Sequence, residues 1–259
     1  MRRHSTWLLP AGTLLALLAI WQLYVDASGV TSLVLPSPHE VARALVDDRA
    51  TLWHNLVRTG LEIVLGLLVA ALFGFVAAGL IHLSSLARRA LYPLLVASQA
   101  VPVVVLGPVL VLWLGFGLLP KLAVVGLVCF FPVVVTTLAG METVDPELIK
   151  LMRSFDATRW QIFTRVELPS ALPGLFTGLK LAAVFSVIGA LFAELTGSSG
   201  SSPGLGYLLN VTVANLETAE AFATVFVLSA FAILLFALLT VVERRVLPWA
   251  YQPKEIPNR

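Results

Sequence analysis

Side chains capable of chemistry are sparse in this chain, and few stand at the spacings that chemistry needs. His4, His39, His54 and His82 are far apart, and none has a partner at metal-ligand spacing. "HEVARAL", starting at His39, lacks a second histidine four positions on and so is not a zinc-protease helix. Cys129 is the only cysteine, which leaves no internal disulfide and no thiolate metal site. The glycines at Gly204 and Gly206 lack the strand and the phosphate-binding pattern of a nucleotide loop; they read as an outer turn, and the chain shows no ATP site of its own. No catalytic or metal-binding residue is assigned. What remains is a handful of polar side chains within apolar sequence: Ser98, Gln99, Lys180, Ser186 and Glu194. Intramembrane charges are candidates for function because an isolated one costs several kcal/mol. Lys180 and Glu194, however, stand near the ends of their run, where a lysine can snorkel. Ser98, Gln99, Ser186 and Glu194 are candidates for a transport path; the alternative is hydrogen bonding between helices.

The elements that would position these residues are membrane helices. Of the 259 residues, 58% are hydrophobic and 12% charged, about half the charged fraction of a soluble domain. Charge-free runs of bilayer length, about 20 residues for a helix, cover 5–25, 63–81, 90–120, 122–141 and 221–242. The run 181–193 joins them if its helix starts near Gly174 and tolerates Lys180. An all-α membrane protein with about six transmembrane helices is expected. The first run follows Arg2 and Arg3 as a signal peptide would, but it outlasts the usual signal core and has no small-x-small cleavage site before Asp26, so it reads as a span. The net charge of +2 is too small and scattered to suggest nucleic acid.

Lys and Arg set the orientation, because short loops rich in them stay in the cytoplasm. A cytoplasmic N-terminus places Arg2, Arg3, Arg88, Arg89, the basic residues of 150–165, Arg244, Arg245 and the C-terminal tail inside; only Arg43, Arg49, Arg58 and Lys121 fall outside. The loop 196–220 has no Lys or Arg, which fits the outer side. Residues 38–48 read as a short amphipathic helix at the outer interface, with Val41, Ala44 and Leu45 turned inward.

On the cytoplasmic side lies "RSFDATRWQIFTRVELPSALPG", residues 153–174, too polar for lipid. The pattern predicts two short helices. Asp145 caps the first, Pro146 suits its first position and Glu147 complements the dipole. Leu148, Leu151, Met152 and Phe155 then form one apolar stripe. Thr158 and Gln161 stand at capping-box spacing for the second helix, whose apolar edge is Trp160 and Phe163. Asp156 occupies the reversal between them, and Leu168-Pro169 ends the pattern.

This stretch resembles the coupling loop of permease subunits of bacterial ATP-binding-cassette (ABC) importers. That family's motif runs Glu-Ala-Ala, three residues, Gly, nine residues, then Ile-x-Leu-Pro. Val166-x-Leu168-Pro169 falls at the expected distance after Asp156, while Lys150-Leu151-Met152 occupies the Glu-Ala-Ala positions and Asp156 replaces the glycine. Arg159-Trp160-Gln161 and Pro169-x-Ala171-Leu172-Pro173 are similar to the nitrate, sulfonate and taurine branch, and the likeness covers about 35–242. It includes "LPSP", "VPVVVLGPVLVLWLGFG", Ala193-Glu194 and "GLGYLL". "RRALYPLLVASQAVP" and "VCFFPVVV" look closest to permeases for thiamine pyrimidines or riboflavin-like compounds.

The resemblance implies a type I importer (MetI-like) permease, a single transmembrane domain over 1–259. Its parts would be a first span and flank (1–34), an outer interfacial segment (35–50), spans two to four (51–141), a cytoplasmic coupling loop (142–173), spans five and six (174–246) and a cytoplasmic tail (247–259). Both termini would be cytoplasmic. It further implies a homodimeric pore with a second permease copy, two ABC ATPase subunits that hold ATP and Mg, and an extracytoplasmic substrate-binding protein, with no cofactor on this chain. Glu147, Leu148, Leu151, Phe155, Asp156, Arg159, Trp160, Phe163, Leu168 and Pro169 would carry the coupling. Arg153, Arg159 and Arg165 would form its charged rim. A passive channel or secondary transporter gated by the hairpin is the alternative.

Overall fold

The computed structural model describes residues 5–197 and 203–251, and every regular element among them is helical. In chain order α1 (Ser5–Ser28), α2 (Pro38–Asp47), α3 (Arg49–Leu83), α4 (Ser85–Ser98), α5 (Val103–Leu114) and α6 (Leu118–Glu142) precede the charged hairpin. The hairpin holds α7 (Pro146–Ser154), α8 (Arg159–Ile162) and a π-helical turn, Phe163–Glu167, which runs directly into α9 (Leu168–Gly197). α10 (Leu205–Ala214) and α11 (Thr218–Val246) follow. Among the described residues, Arg49–Leu83, Leu118–Glu142, Arg159–Thr196 and Thr218–Val246 are long and apolar enough to cross a membrane.

The run 90–120 is not the single span expected of it. It breaks into the end of α4, a turn at Gln99–Val101, α5 and the start of α6. Pro102 lacks an N–H and drives the residue before it toward extended backbone, and it stands as the N-cap of α5 with ψ 124°. At the other end Gly115 (φ 75°) and Gly117 (φ 133°) take backbone conformations that side chains resist, so α5 stops and α6 begins in a new direction. The short amphipathic helix expected over 38–48 forms as α2. Ser37 Oγ accepts the Glu40 N–H at 3.2 Å and the Glu40 carboxylate accepts the Ser37 N–H at 2.7 Å, while Val41 is buried and Ala44 and Leu45 pack beside it.

α6 is the centre of the bundle, packed between α3 and α9. Lipid tails are as apolar as leucine, so helices in a bilayer associate by close packing rather than by escape from water. Gly174 and Gly178 of α9 let its backbone approach α6 so closely that a Cβ on either would strike Thr136. Ile63, Leu67, Val125, Cys129, Val133 and Ala183 fill the core thus formed. Leu68, Leu72, Phe73, Leu234 and Leu238 point outward on α3 and α11 and are exposed.

Candidate functional site

The hairpin is built by its own caps. Asp145 Oδ1 accepts the Glu147 N–H at 2.8 Å, and Pro146 opens α7. α7 ends in a Schellman motif: the Asp156 N–H donates to Arg153 O at 3.0 Å and the Ala157 N–H to Met152 O at 3.1 Å, with Asp156 left-handed at φ 54°. The expected capping box then starts α8, since Thr158 Oγ1 accepts the Gln161 N–H at 3.3 Å and Gln161 Oε1 accepts the Thr158 N–H at 2.8 Å.

The two arms face different surroundings. No residue of α7 is buried; Leu148 is 42% exposed, Leu151 52%, Phe155 75% and, on α8, Trp160 63%. Glu147 is also exposed. The structure turns Phe163 the other way, into the bundle against Ala78, Ile81 and Leu138, with its ring stacked 6.3 Å from His82. Leu168 packs on the same cluster and Pro169 is half-buried in the first turn of α9. Arg159 is not a free rim charge: its guanidinium reaches the buried Glu167, with Nη1 2.6 Å from Oε1.

About 40 Å further along α9, at 1.5 Å per residue, lies a second polar group that includes Glu194. Glu194 is fully buried. Its Oε1 accepts from Thr59 Oγ1 at 2.5 Å, and its Oε2 accepts the N–H groups of Gly206 at 2.5 Å and Tyr207 at 3.3 Å. Thr59 Oγ1 in turn accepts the Leu205 N–H at 2.8 Å. The glycines expected to form an outer turn therefore open α10, and Glu194 and Thr59 satisfy its free amides. One turn from Thr59, Glu62 Oε1 pairs with Lys121 Nζ at 2.7 Å. Lys121, counted from the sequence as an outer-loop charge, is 1% exposed in the first turn of α6. Glu62 and Lys121 escaped sequence reading because they sit at the edges of charge-free runs, one just before Ile63 and the other between Pro120 and Leu122.

The remaining candidates separate. Ser98 and Gln99 line a cavity of about 850 Å³ together with Ala77, Phe131, Thr136 and Phe185. Ser98 Oγ donates to Leu95 O at 2.7 Å, and Gln99 Nε2 lies 3.4 Å from Ser98 Oγ, so the cavity wall is apolar with a small polar patch. Ser186 is buried and donates to Ala183 O at 2.8 Å, away from that cavity. Lys180 does not need to snorkel: Nζ lies 2.8 Å from the Glu243 carboxylate of α11. Among the described residues no group of three or more His, Cys, Asp or Glu side chains is placed to hold a metal ion.

Comparison with known proteins matches residues 70–248 to the family of binding-protein-dependent transport system inner membrane components. The chain is 35% identical over 250 residues to the formylaminopyrimidine transport permease protein ThiX of Halalkalibacterium halodurans, covering 96% of this chain and 98% of that one. It is 33% identical to the riboflavin transport system permease protein RibX of Chloroflexus aurantiacus, over 92% of this chain and 88% of that one. With the taurine transport system permease protein TauC of Escherichia coli it shares 32% identity, over 93% and 89% of the two chains. Permeases of this kind work with ATPase and substrate-binding partners and leave ATP hydrolysis to the ATPases. A helical, multi-pass architecture and these matches agree: the chain belongs to the family of binding-protein-dependent transport inner membrane components, as the non-catalytic permease subunit of an ABC importer.

Proposed function

We propose that this permease forms its pore as a homodimer and docks two ATPase subunits through residues 145–169. ATP and Mg would sit on those subunits, both termini would lie in the cytoplasm, and a binding protein would deliver the solute from outside. The observation that carries this reading is the exposure of Leu148 (42%), Leu151 (52%), Phe155 (75%) and Trp160 (63%) on a hairpin whose backbone is fully capped. A short helix holds in a groove by burying such a stripe, worth about 1.5–3 kcal/mol for each large side chain. Basic groups at the edge, such as Arg153 and Arg165, would orient the docking.

The cargo we favour is a thiamine-pyrimidine or riboflavin-like compound, with nitrate, a sulfonate or taurine as the other class. Two of the relatives named above support the first, being named for formylaminopyrimidine and riboflavin transport. The cavity wall agrees with it, since an apolar surface bearing Ser98, Gln99 and Thr136 suits a flat heterocycle with few polar groups better than a bare anion.

The experiment is purification of the tagged chain from native membranes in mild detergent, followed by reconstitution with what accompanies it. An ATPase and a binding protein should co-purify, and the vesicles should take up formylaminopyrimidine or riboflavin only with ATP. Uptake of taurine or nitrate instead would move the cargo to the other class, and a chain that emerges alone would remove the docking role.

A further inference from the structure

Glu167 is 3% exposed, a carboxylate that no sequence pattern singled out. Both its oxygens lie within reach of one guanidinium nitrogen, Arg159 Nη1 donating at 2.6 Å to Oε1 and 2.7 Å to Oε2. On its other side His82 Nε2, in the last turn of α3, is 3.0 Å from Oε2. That contact is short but off the ring N–H axis, so this buried nitrogen makes no aligned hydrogen bond among the described residues.

The π turn brings these groups together. Arg159 and Glu167 are eight residues apart, which in a plain α-helix overshoots two full turns by about 80° and turns the side chains apart. Because a π turn takes about one residue more than the 3.6 of an α turn, one turn of each accounts for close to eight residues and returns both side chains to one face. Phe163, inside the π turn, stacks on His82 and fixes the same face toward α3.

We propose that Glu167 is the positioning residue that transmits displacement of the hairpin into α3, an inference that rests on the hairpin being the ATPase docking element. Arg159 is partly exposed beside Trp160, within the surface an ATPase would move. Taking the guanidinium away would strip a buried carboxylate of its partner, which is strongly unfavourable. The carboxylate must therefore follow the arm or turn to His82, and either movement acts on the end of α3. From His82, α3 runs about 35 Å to Thr59, at 1.5 Å per residue, and Thr59 joins Glu194 and the start of α10. α3 thus meets this segment at both ends, His82 standing beside Glu167 of the π turn and Thr59 bonding to Glu194 of α9.

The test uses the whole transporter, with nitroxide labels at the exposed Trp53 of α3 and Asn210 of α10, read by pulsed electron resonance before and after trapping with ATP and vanadate. In the parent protein the label distance should change on trapping, and an unchanged parent distance in a complex that holds its ATPase overturns the proposal. In Glu167→Gln the ATPase should still co-purify while the fraction of molecules that change falls at least about fivefold, the lower end of ordinary coupling energies. His82→Gln should show the same loss, and the double variant should add little to either single one. A Glu167→Gln protein that shifts like its parent overturns the proposal. Should Glu167→Gln fail to assemble, His82→Gln decides, because it leaves the Arg159 pair in place: a normal shift there overturns the proposal and a lost shift supports it. A parent protein that binds no ATPase would instead overturn the docking reading itself.

Discussion

Glu194 Oε2 accepts the N–H of Gly206 at 2.5 Å, so a carboxylate at the end of one helix closes the start of another twelve residues on. The position suits an anion, because the first amides of α10 are unpaired within the helix and its dipole is positive there. Thr59 adds a third arm from α3, donating to Glu194 and accepting from Leu205. Replacing Glu194 with alanine would leave these buried donors without a partner and should cost about 3–5 kcal/mol. Glu194→Gln keeps one carbonyl oxygen and should cost about 1–3 kcal/mol. Thermal unfolding in detergent reads both: equal losses would show that the second oxygen and the charge carry the whole effect, and a Glu194→Gln protein as stable as its parent would show that the charge contributes nothing.

The neighbouring glycines make a second prediction. Gly204 has φ −128°, which any residue adopts, so its need for glycine is steric: a methyl group there would overlap the Glu194 carboxyl. At Gly206 the added carbon would meet Glu194 Oε2 and the Leu191 carbonyl oxygen, both near 3.0 Å, a tight contact rather than an overlap. Gly204→Ala should therefore lower the melting temperature more than Gly206→Ala, with a cost of about 1–3 kcal/mol typical of overpacking. The reverse order would mean that the clamp can shift sideways to make room.

How much of this was legible depended on the range of the interaction. The hairpin's caps are local: Asp145, Thr158 and Gln161 bond within three residues, and the left-handed turn follows from the spacing around Asp156. Helix breaks at Pro102 and Gly115 are equally local, but the sequence run from 90 to 120 hides them because its composition stays apolar throughout. The sequence places Phe163 beside Trp160 on the docking edge, whereas the π turn after Ile162 changes which residues share a face and swings it into the bundle. The pairs Glu62–Lys121, Thr59–Glu194 and His82–Glu167 bring together residues 59, 135 and 85 positions apart, and only the packed bundle shows them.

Asp156 stands at φ 54°, where a glycine has no Cβ penalty and an aspartate pays about 1 kcal/mol. Asp156→Gly should thus preserve or slightly raise hairpin stability and leave ATPase binding intact. Asp156→Val places a β-branched side chain in the same conformation and should weaken the Schellman bonds to Arg153 O and Met152 O. Protease cleavage of the hairpin in membrane vesicles checks the order, which should be valine fastest and glycine no faster than aspartate.

The buried pair of Glu62 and Lys121 predicts strong non-additivity. Removing one member takes the short opposite-charge contact from the other at 1–6% side-chain exposure, so Lys121→Met or Glu62→Gln should each destabilise by about 3–5 kcal/mol. Changing both to apolar residues of similar volume removes both buried charges together and should recover most of the loss. A double variant as unstable as the sum of the singles would show that the two side chains act through different partners.

Phe155 and Phe163 belong to one hairpin but should fail in different ways when shortened. Phe155 is 75% exposed and touches no core cluster, so Phe155→Ala should leave stability within about 0.5 kcal/mol of the parent while reducing uptake per ATP hydrolysed. Phe163 is 6% exposed among Ala78, Ile81 and Leu138 and stacks on His82, so Phe163→Ala opens a cavity and should cost about 3–5 kcal/mol of stability. Measuring stability and uptake on the same preparations separates the roles. Normal uptake by Phe155→Ala would remove that side chain from the docking surface, and a stable Phe163→Ala would show that the π turn can re-pack without its ring.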